Sequence, residues 1–145
     1  MTDATALARE LERLFSALVR EGGRLGFTET VAITPTQRVA LFALVDHGAL
    51  RLGALADAIA TTDATATRTV QALERLGLVE REPDPADGRG IRVAATAEGR
   101  RLVVRARRRF EQVVARVVPA DEQERLSGLL RDLTGAVAPD VSSTV

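Results

Sequence analysis

The chain has 145 residues, of which 46% are hydrophobic, and its 20 basic and 20 acidic side chains cancel. That length and apolar content suit one domain with a real core, and the zero net charge excludes a general polycation. The absence of cysteine excludes disulfides, thiolate catalysis and thiolate metal sites, and His47 is the only histidine, so neither a metal site nor a cofactor is expected.

All 20 basic residues are arginine, a bias that fits a GC-rich genome as readily as selection for nucleic acid. Their placement says more. From Arg51 to Arg109 there are twelve arginines against eight acids, while the remainder carries eight against twelve. A basic middle on a neutral chain suits a local phosphate-binding face. No apolar run approaches the roughly 20 residues of a membrane helix, and the N-terminus lacks a basic start followed by an apolar stretch. A soluble, cytoplasmic protein without membrane contact is expected.

In chain order, Leu7, Leu11, Leu14, Phe15 and Leu18 put an amphipathic helix over about 5–21, ended by Gly22 and Gly23. After the irregular GRLGFTETVAI, Thr34-Pro35 is a strong helix start: a hydroxyl cap, then proline where a missing N–H costs nothing. Val39, Phe42, Leu44 and Val45 are its expected apolar positions, and it stops near His47-Gly48. Leu52, Leu55, Ala56 and Ile59 make a short third helix. Ala60 to Asp63 form a turn, and Thr62 or Asp63 caps a fourth helix running to about Leu76.

Ala66, Val70, Leu73 and Gly77 fall on the inner side of that fourth helix. Ala64, Arg68, Gln71 and Arg75 fall opposite, flanked by Thr65 and Thr67. Gly77 is placed to end the helix in the left-handed conformation. Leu78 to Glu82 then alternates as a strand does. Pro83 to Gly90 is turn chemistry throughout, and Ile91 to Ala94 returns as a second strand. The expected hairpin is short, with a long loop and Arg89 near its tip. Thr96 opens a long helix with Leu102, Val103, Ala106, Phe110, Val113, Val114 and Val117 on one stripe. Pro119 interrupts it. Asp121 and Glu122 start a last helix striped by Leu126, Leu129, Leu130, Leu133 and Val137, and a frayed tail is expected from Ala138.

The resulting fold class is mainly α with a small β-hairpin (α+β): a winged helix-turn-helix. It is expected within a single domain, 1–145, with its DNA-binding lobe at about 34–95 and dimerisation helices at about 5–21 and 96–137. A helix that enters the major groove needs short polar side chains and arginine to reach base edges and phosphates. Thr65, Thr67, Arg68 and Gln71 offer that, and Ala64 and Ala72 let the helix sit deep. In the tip DPADGRG, Arg89 is the expected phosphate or minor-groove contact, with Asp87 orienting it by a charge-assisted bond. The run Arg100, Arg101, Arg105, Arg107, Arg108, Arg109 reads as the wet side of a helix, as a phosphate contact or as part of a dimer ion-pair network. No paired carboxylates beside a base, nucleophile elbow or phosphate loop is present, so the chain is not expected to be an enzyme.

Thr34-Pro35-Thr36-Gln37, the helix LGALADAI, the run TRTVQALERLGLVERE and the wing DPADGRGIRVAATAEGRRL together resemble the MarR family of bacterial transcription regulators, in order and spacing from Thr34 to Leu102. The resemblance implies a homodimer joined through its N- and C-terminal helices. It implies binding to double-stranded DNA at a pseudo-palindromic operator. It also implies repression relieved by a small aromatic or anionic ligand. The residues it carries to DNA are Thr62, Thr65, Thr67 and Arg68 on the helix, and Asp87 and Arg89 on the wing. Phe15, Phe42 and His47 are candidates for an effector pocket. Core packing is the competing role for the phenylalanines, and a solvated helix end for the histidine. The chain departs from the family in opening its fourth helix with Thr62-Asp63-Ala64, where the family often has Ser-Pro or Pro-Pro. Its lack of cysteine argues against the family's thiol-oxidation and zinc-sensing branches. A constitutive or architectural DNA-binding protein, or a dimeric protein-interaction module, are the alternatives.

Overall fold

Residues 3–21 and 32–138 are described by a computed structural model. Their order is α1 (Asp3–Glu21), α2 (Pro35–His47), β1 (Leu50–Arg51), α3 (Leu52–Ala58), α4 (Asp63–Arg75), β2 (Val79–Asp84), β3 (Asp87–Ala95), α5 (Ala97–Val117) and α6 (Ala120–Val137). The chain falls into two compact units, Met1–Arg109 and Phe110–Val145. The expected helix stop at Gly22-Gly23, most of the irregular piece and the expected tail beyond Ala138 lie outside the described residues. No helix among the described residues is long and apolar enough to cross a membrane.

Within the first unit, the core gathers Ala40, Leu41 and Leu44 of α2, Leu55 of α3, Val70 and Leu73 of α4, Val93 and Ala95 of β3, and Leu102, Val103 and Ala106 of α5. Helix α2 starts as its sequence requires. Thr34 accepts the Gln37 N–H on Oγ1, and Gln37 Oε1 accepts the Thr34 N–H, a full capping box. Its inner face differs from the expected one. Val39 is 50% exposed, and Arg38 is buried in its place, donating from Nη2 to the Val19 carbonyl of α1 at 3.2 Å. A carbonyl near the end of α1 lacks a partner within its own helix, which gives a buried guanidinium something to satisfy.

The sheet has three antiparallel strands in the order β1-β3-β2. Leu50–Arg51 pairs with Val93 and Arg92, a strand not foreseen from sequence. The hairpin also differs from expectation. Its strands reach Asp84 and resume at Asp87, so the tip is Pro85-Ala86 and not the whole of Pro83 to Gly90. Pro83 is tolerated because β2 is an edge strand, where a missing N–H removes no bond inside the sheet. The register runs from Val79↔Ala95 to Pro83↔Ile91 and then jumps to Asp84↔Asp87. Gly88, Arg89 and Gly90 therefore form a bulge on β3.

Where helix, wing and next helix meet, the chain is tied by backbone bonds. Gly77 has φ +72°. Its N–H reaches the Glu74 carbonyl at 2.9 Å and the Leu78 N–H reaches that of Leu73 at 3.0 Å, the Schellman pattern. The Leu78 carbonyl in turn accepts the Thr96 N–H at 3.0 Å. Thr96 Oγ1 donates to the Gly77 carbonyl at 2.7 Å and accepts the Gly99 N–H at 3.1 Å, capping α5. Gly99 has no room for a side chain, since a Cβ there would fall on the Leu78 carbonyl oxygen.

In the second unit, α6 follows Pro119 and carries Asp121 and Glu122 in its first turn, where acids complement the helix dipole. Gln123 Nε2 donates to the Val118 carbonyl at 3.1 Å. None of its apolar stripe is buried: Leu126, Leu129, Leu130, Leu133 and Val137 are all exposed. On α1 the same holds for Leu7, Leu14 and Phe15.

Candidate nucleic-acid interface

The open choice of cap for α4 resolves to Thr62. Its Oγ1 accepts the Thr65 N–H at 3.2 Å and donates to Thr65 Oγ1 at 3.1 Å. Asp63 is the first helical residue, where its charge complements the positive end of the helix. Ala66, Thr69, Val70 and Leu73 face the core. Ala64, Arg68, Gln71 and Arg75 are exposed, as the 3.6-residue period demands, and Thr65 and Thr67 are half-buried beside them.

The side chains on this outer face are not equivalent. Thr67 Oγ1 donates to the Asp63 carbonyl at 2.8 Å, and Thr69 Oγ1 to that of Thr65 at 2.8 Å. These hydroxyl protons are engaged within the helix. Arg68 and Gln71 make no hydrogen bond or ion pair with any described residue. They sit one turn apart with all their donors available. Such side chains pair bidentately with guanine and adenine edges respectively.

The wing tip places its residues differently from the sequence expectation. Asp87 does not orient the Arg89 guanidinium. Its Oδ1 accepts the Arg89 backbone N–H at 3.1 Å, and its Oδ2 pairs with Arg51 Nη2 at 3.2 Å. Asp84 Oδ2 takes Arg51 Nε at 2.6 Å, and its Oδ1 accepts the Ala86 N–H at 2.9 Å. The Arg51 guanidinium, with the Ala86 N–H, holds the Asp84 carboxyl below its ordinary range. The Arg89 N–H, then Arg51, does the same for Asp87. Arg89 itself is exposed within the bulge, its guanidinium unpaired among the described residues. Arg92 pairs with Glu82 at 2.6 Å and Arg81 with Glu74 of α4 at 2.9 Å, bracing the hairpin along its length.

Arg51 is the participant that sequence reasoning missed. A two-residue strand has no periodicity to read, and only the three-dimensional pairing brings position 51 to the tip. The basic run on α5 is partly engaged. Arg100 donates to the Ala95 carbonyl, Arg101 pairs with Glu98, and Arg107 bonds both Asp46 oxygens at 2.7 and 2.8 Å while lying 5.0 Å from the Phe42 ring centroid.

The effector candidates are dispersed in character. Phe42 packs at the edge of the core beneath Arg107, His47 is exposed at the end of α2, and Phe15 is 69% exposed on α1. An open depression on α1, lined by Arg9, Glu12, Arg13, Ser16 and Arg20, includes none of the three.

Known proteins share this arrangement. The sequence profile of the MarR family matches residues 33–91. An HTH-type transcriptional regulator of Mycobacterium leprae is 34% identical over 120 residues, covering 81% of this chain and 84% of that protein. The structure of a MarR family protein from Bacillus stearothermophilus superposes with a TM-score of 0.70 at 28% identity, covering 94% of this chain and 98% of the other. Bordetella bronchiseptica BpsR, whose DNA binding is regulated by 6-hydroxynicotinic acid, superposes with a TM-score of 0.57 at 26% identity, covering 86% and 98%. With its capped α4, its wing and these relatives, the chain belongs to the MarR family of transcriptional regulators, DNA-binding winged helix-turn-helix proteins and not enzymes.

Proposed function

We propose that this protein is a cytoplasmic homodimeric repressor that binds a pseudo-palindromic operator and leaves it when a small aromatic or anionic ligand binds. The observation that carries the DNA contact is the pairing of an outward α4 face, with Arg68 and Gln71 uncommitted, with a wing whose bulge presents Arg89. Arg68 and Gln71 read bases, the Thr65 and Thr67 methyls meet thymine, and Thr62 and Arg89 meet the backbone or minor groove. Asp87 serves the wing's shape and not a base.

Dimerisation is supported by the uncovered apolar stripes of α1 and of α6, each a surface in need of a partner. A dimer sets its two recognition helices about one helical turn, ~10 bp, apart. A ligand that prefers another spacing releases DNA by its difference in affinity for the two states. Ligand control is supported by BpsR, whose regulator is an aromatic acid. Phe15, Phe42 and His47 remain the proposed lining.

The test is an anisotropy titration against DNA flanking the gene, at two salt concentrations, with and without a panel of aromatic carboxylates. Arg68→Ala and Gln71→Ala are each expected to cost about 1–3 kcal/mol and relax sequence preference at one position per half-site. Arg89→Ala is expected to weaken binding to all sequences and lower the salt slope by about one. Absence of binding by folded protein at low salt refutes the reading. Binding indifferent to sequence favours an architectural protein, and binding indifferent to every ligand favours a constitutive one.

A further inference from the structure

The hairpin that presents Arg89 is held from outside itself. Asp84 and Asp87 face each other across the two-residue tip, and one guanidinium from β1 bonds both: Arg51 Nε to Asp84 at 2.6 Å and Nη2 to Asp87 at 3.2 Å. Each carboxylate uses its other oxygen on a nearby backbone amide, that of Ala86 in the tip for Asp84 and that of Arg89 in the bulge for Asp87. The backbone of Arg89 is thereby joined through Asp87 to Arg51. Arg92, opposite Arg51 across β1 and β3, is engaged by Glu82 and does not compete for the two aspartates.

Gly90 completes the arrangement. A Cβ at that position would lie 2.8 Å from Arg51 Cζ and nearer still to Nη2. The missing side chain is the slot in which the guanidinium lies. The backbone of Gly90 is not in the left-handed region, so conformational freedom does not account for glycine there.

We propose that Arg51 is a positioning residue for DNA binding, which seats the wing tip so that Arg89 projects from the bulge in one direction, with Gly90 as its slot. The proposal rests on the DNA reading of α4 and the wing given above. It adds that β1, which lies outside both DNA-reading elements, sets the aim of one of them. Exposed ion pairs contribute little to folding, so the effect of this clamp falls on where the tip points and not on whether the domain folds. Arg51 acts through Arg89 and adds no phosphate contact of its own.

The experiment uses the full chain and the DNA flanking its gene. Wild type is compared with Arg51→Gln, Arg51→Lys, Gly90→Ala, Arg89→Ala and the double variant Arg51→Gln/Arg89→Ala. Gly90→Ala is the sharpest probe, because the new methyl displaces the end of a flexible side chain and leaves the fold alone. Arg51→Gln and Gly90→Ala are expected to weaken binding about tenfold, the size of one well-placed arginine contact, with unchanged melting temperature. Arg51→Lys recovers part of the loss. In the Arg89→Ala background, Arg51→Gln costs nothing further. In uncomplexed protein, the Arg89 amide resonance moves in both Arg51→Gln and Gly90→Ala.

Losses that add in the double variant, with a separate fall in salt slope, would place Arg51 on phosphate and overturn the proposal. So would wild-type affinity in Arg51→Gln and Gly90→Ala, which would leave the DNA reading intact. No binding by wild type would refute the DNA reading and this proposal with it. An unmoved Arg89 amide would refute the clamp itself.

Discussion

Replacing Thr96 by valine removes one hydroxyl and keeps the shape of the side chain. That hydroxyl accepts the Gly99 N–H at 3.1 Å and donates to the Gly77 carbonyl at 2.7 Å. The first bond is a helix N-cap, whose loss costs about 1 kcal/mol. The second ends on an exposed glycine whose carbonyl water can reach, so its loss adds at most about 1 kcal/mol. The Thr96 N–H bond to Leu78 remains, so the tie loosens without opening. A total of about 1–2 kcal/mol in a chain of this size corresponds to a fall of roughly 3–8 °C in melting temperature. Differential scanning calorimetry at one fixed protein concentration measures it. Thr96→Ser keeps the hydroxyl and is expected to lose less than half as much. Equal losses in the two variants would refute the assignment to hydrogen bonds and point to the β-branched shape.

Three further outcomes are expected. Leu41→Ala, at a fully buried site on α2, opens a cavity and lowers unfolding free energy by about 2–5 kcal/mol in chemical denaturation; a loss below 1 kcal/mol would mean that the core closes over the gap. Gly99→Ala drives a methyl into the Leu78 carbonyl, which is backbone and tied to Thr96, so about 3 kcal/mol or more is expected; a crystal structure with α5 in its present place would contradict it. Asp84 and Asp87 have folded values below their ordinary 3.8, so their support of the wing is complete above that value and lost as pH falls through the depressed ones. The Ala86 and Arg89 amide shifts are accordingly expected to stay flat from pH 7 to about 5 and move only below about 4; a midpoint near 6 would exclude these carboxylates.

Elements with local signals were legible in the sequence. The Thr34-Pro35 start, the Gly77 stop and the outward set Ala64, Arg68, Gln71 and Arg75 follow from capping chemistry and from helical period, which act within a few residues. The extent of the hairpin is not legible locally, because Pro83, Gly88 and Gly90 look like loop residues when taken singly. Each has a non-local reason: an edge strand for Pro83, a register jump for Gly88, a guanidinium slot for Gly90. Periodicity favours Val39 over Arg38 because it ranks residues by hydrophobicity, whereas a carbonyl of α1 selects a donor. Arg51 was invisible for the same kind of reason, since its partners lie 33 and 36 residues away.

The knot formed by Gly77, Leu78, Thr96 and Gly99 makes the wing a handle whose two ends leave the body at one point. A change of length at Pro85-Ala86 therefore need not be transmitted to α4 or to α5. Such a handle can be lengthened at its tip while α4 keeps its seat. On the proposed DNA reading, the contacts made by the wing can then diverge, or be redesigned, independently of those made by α4.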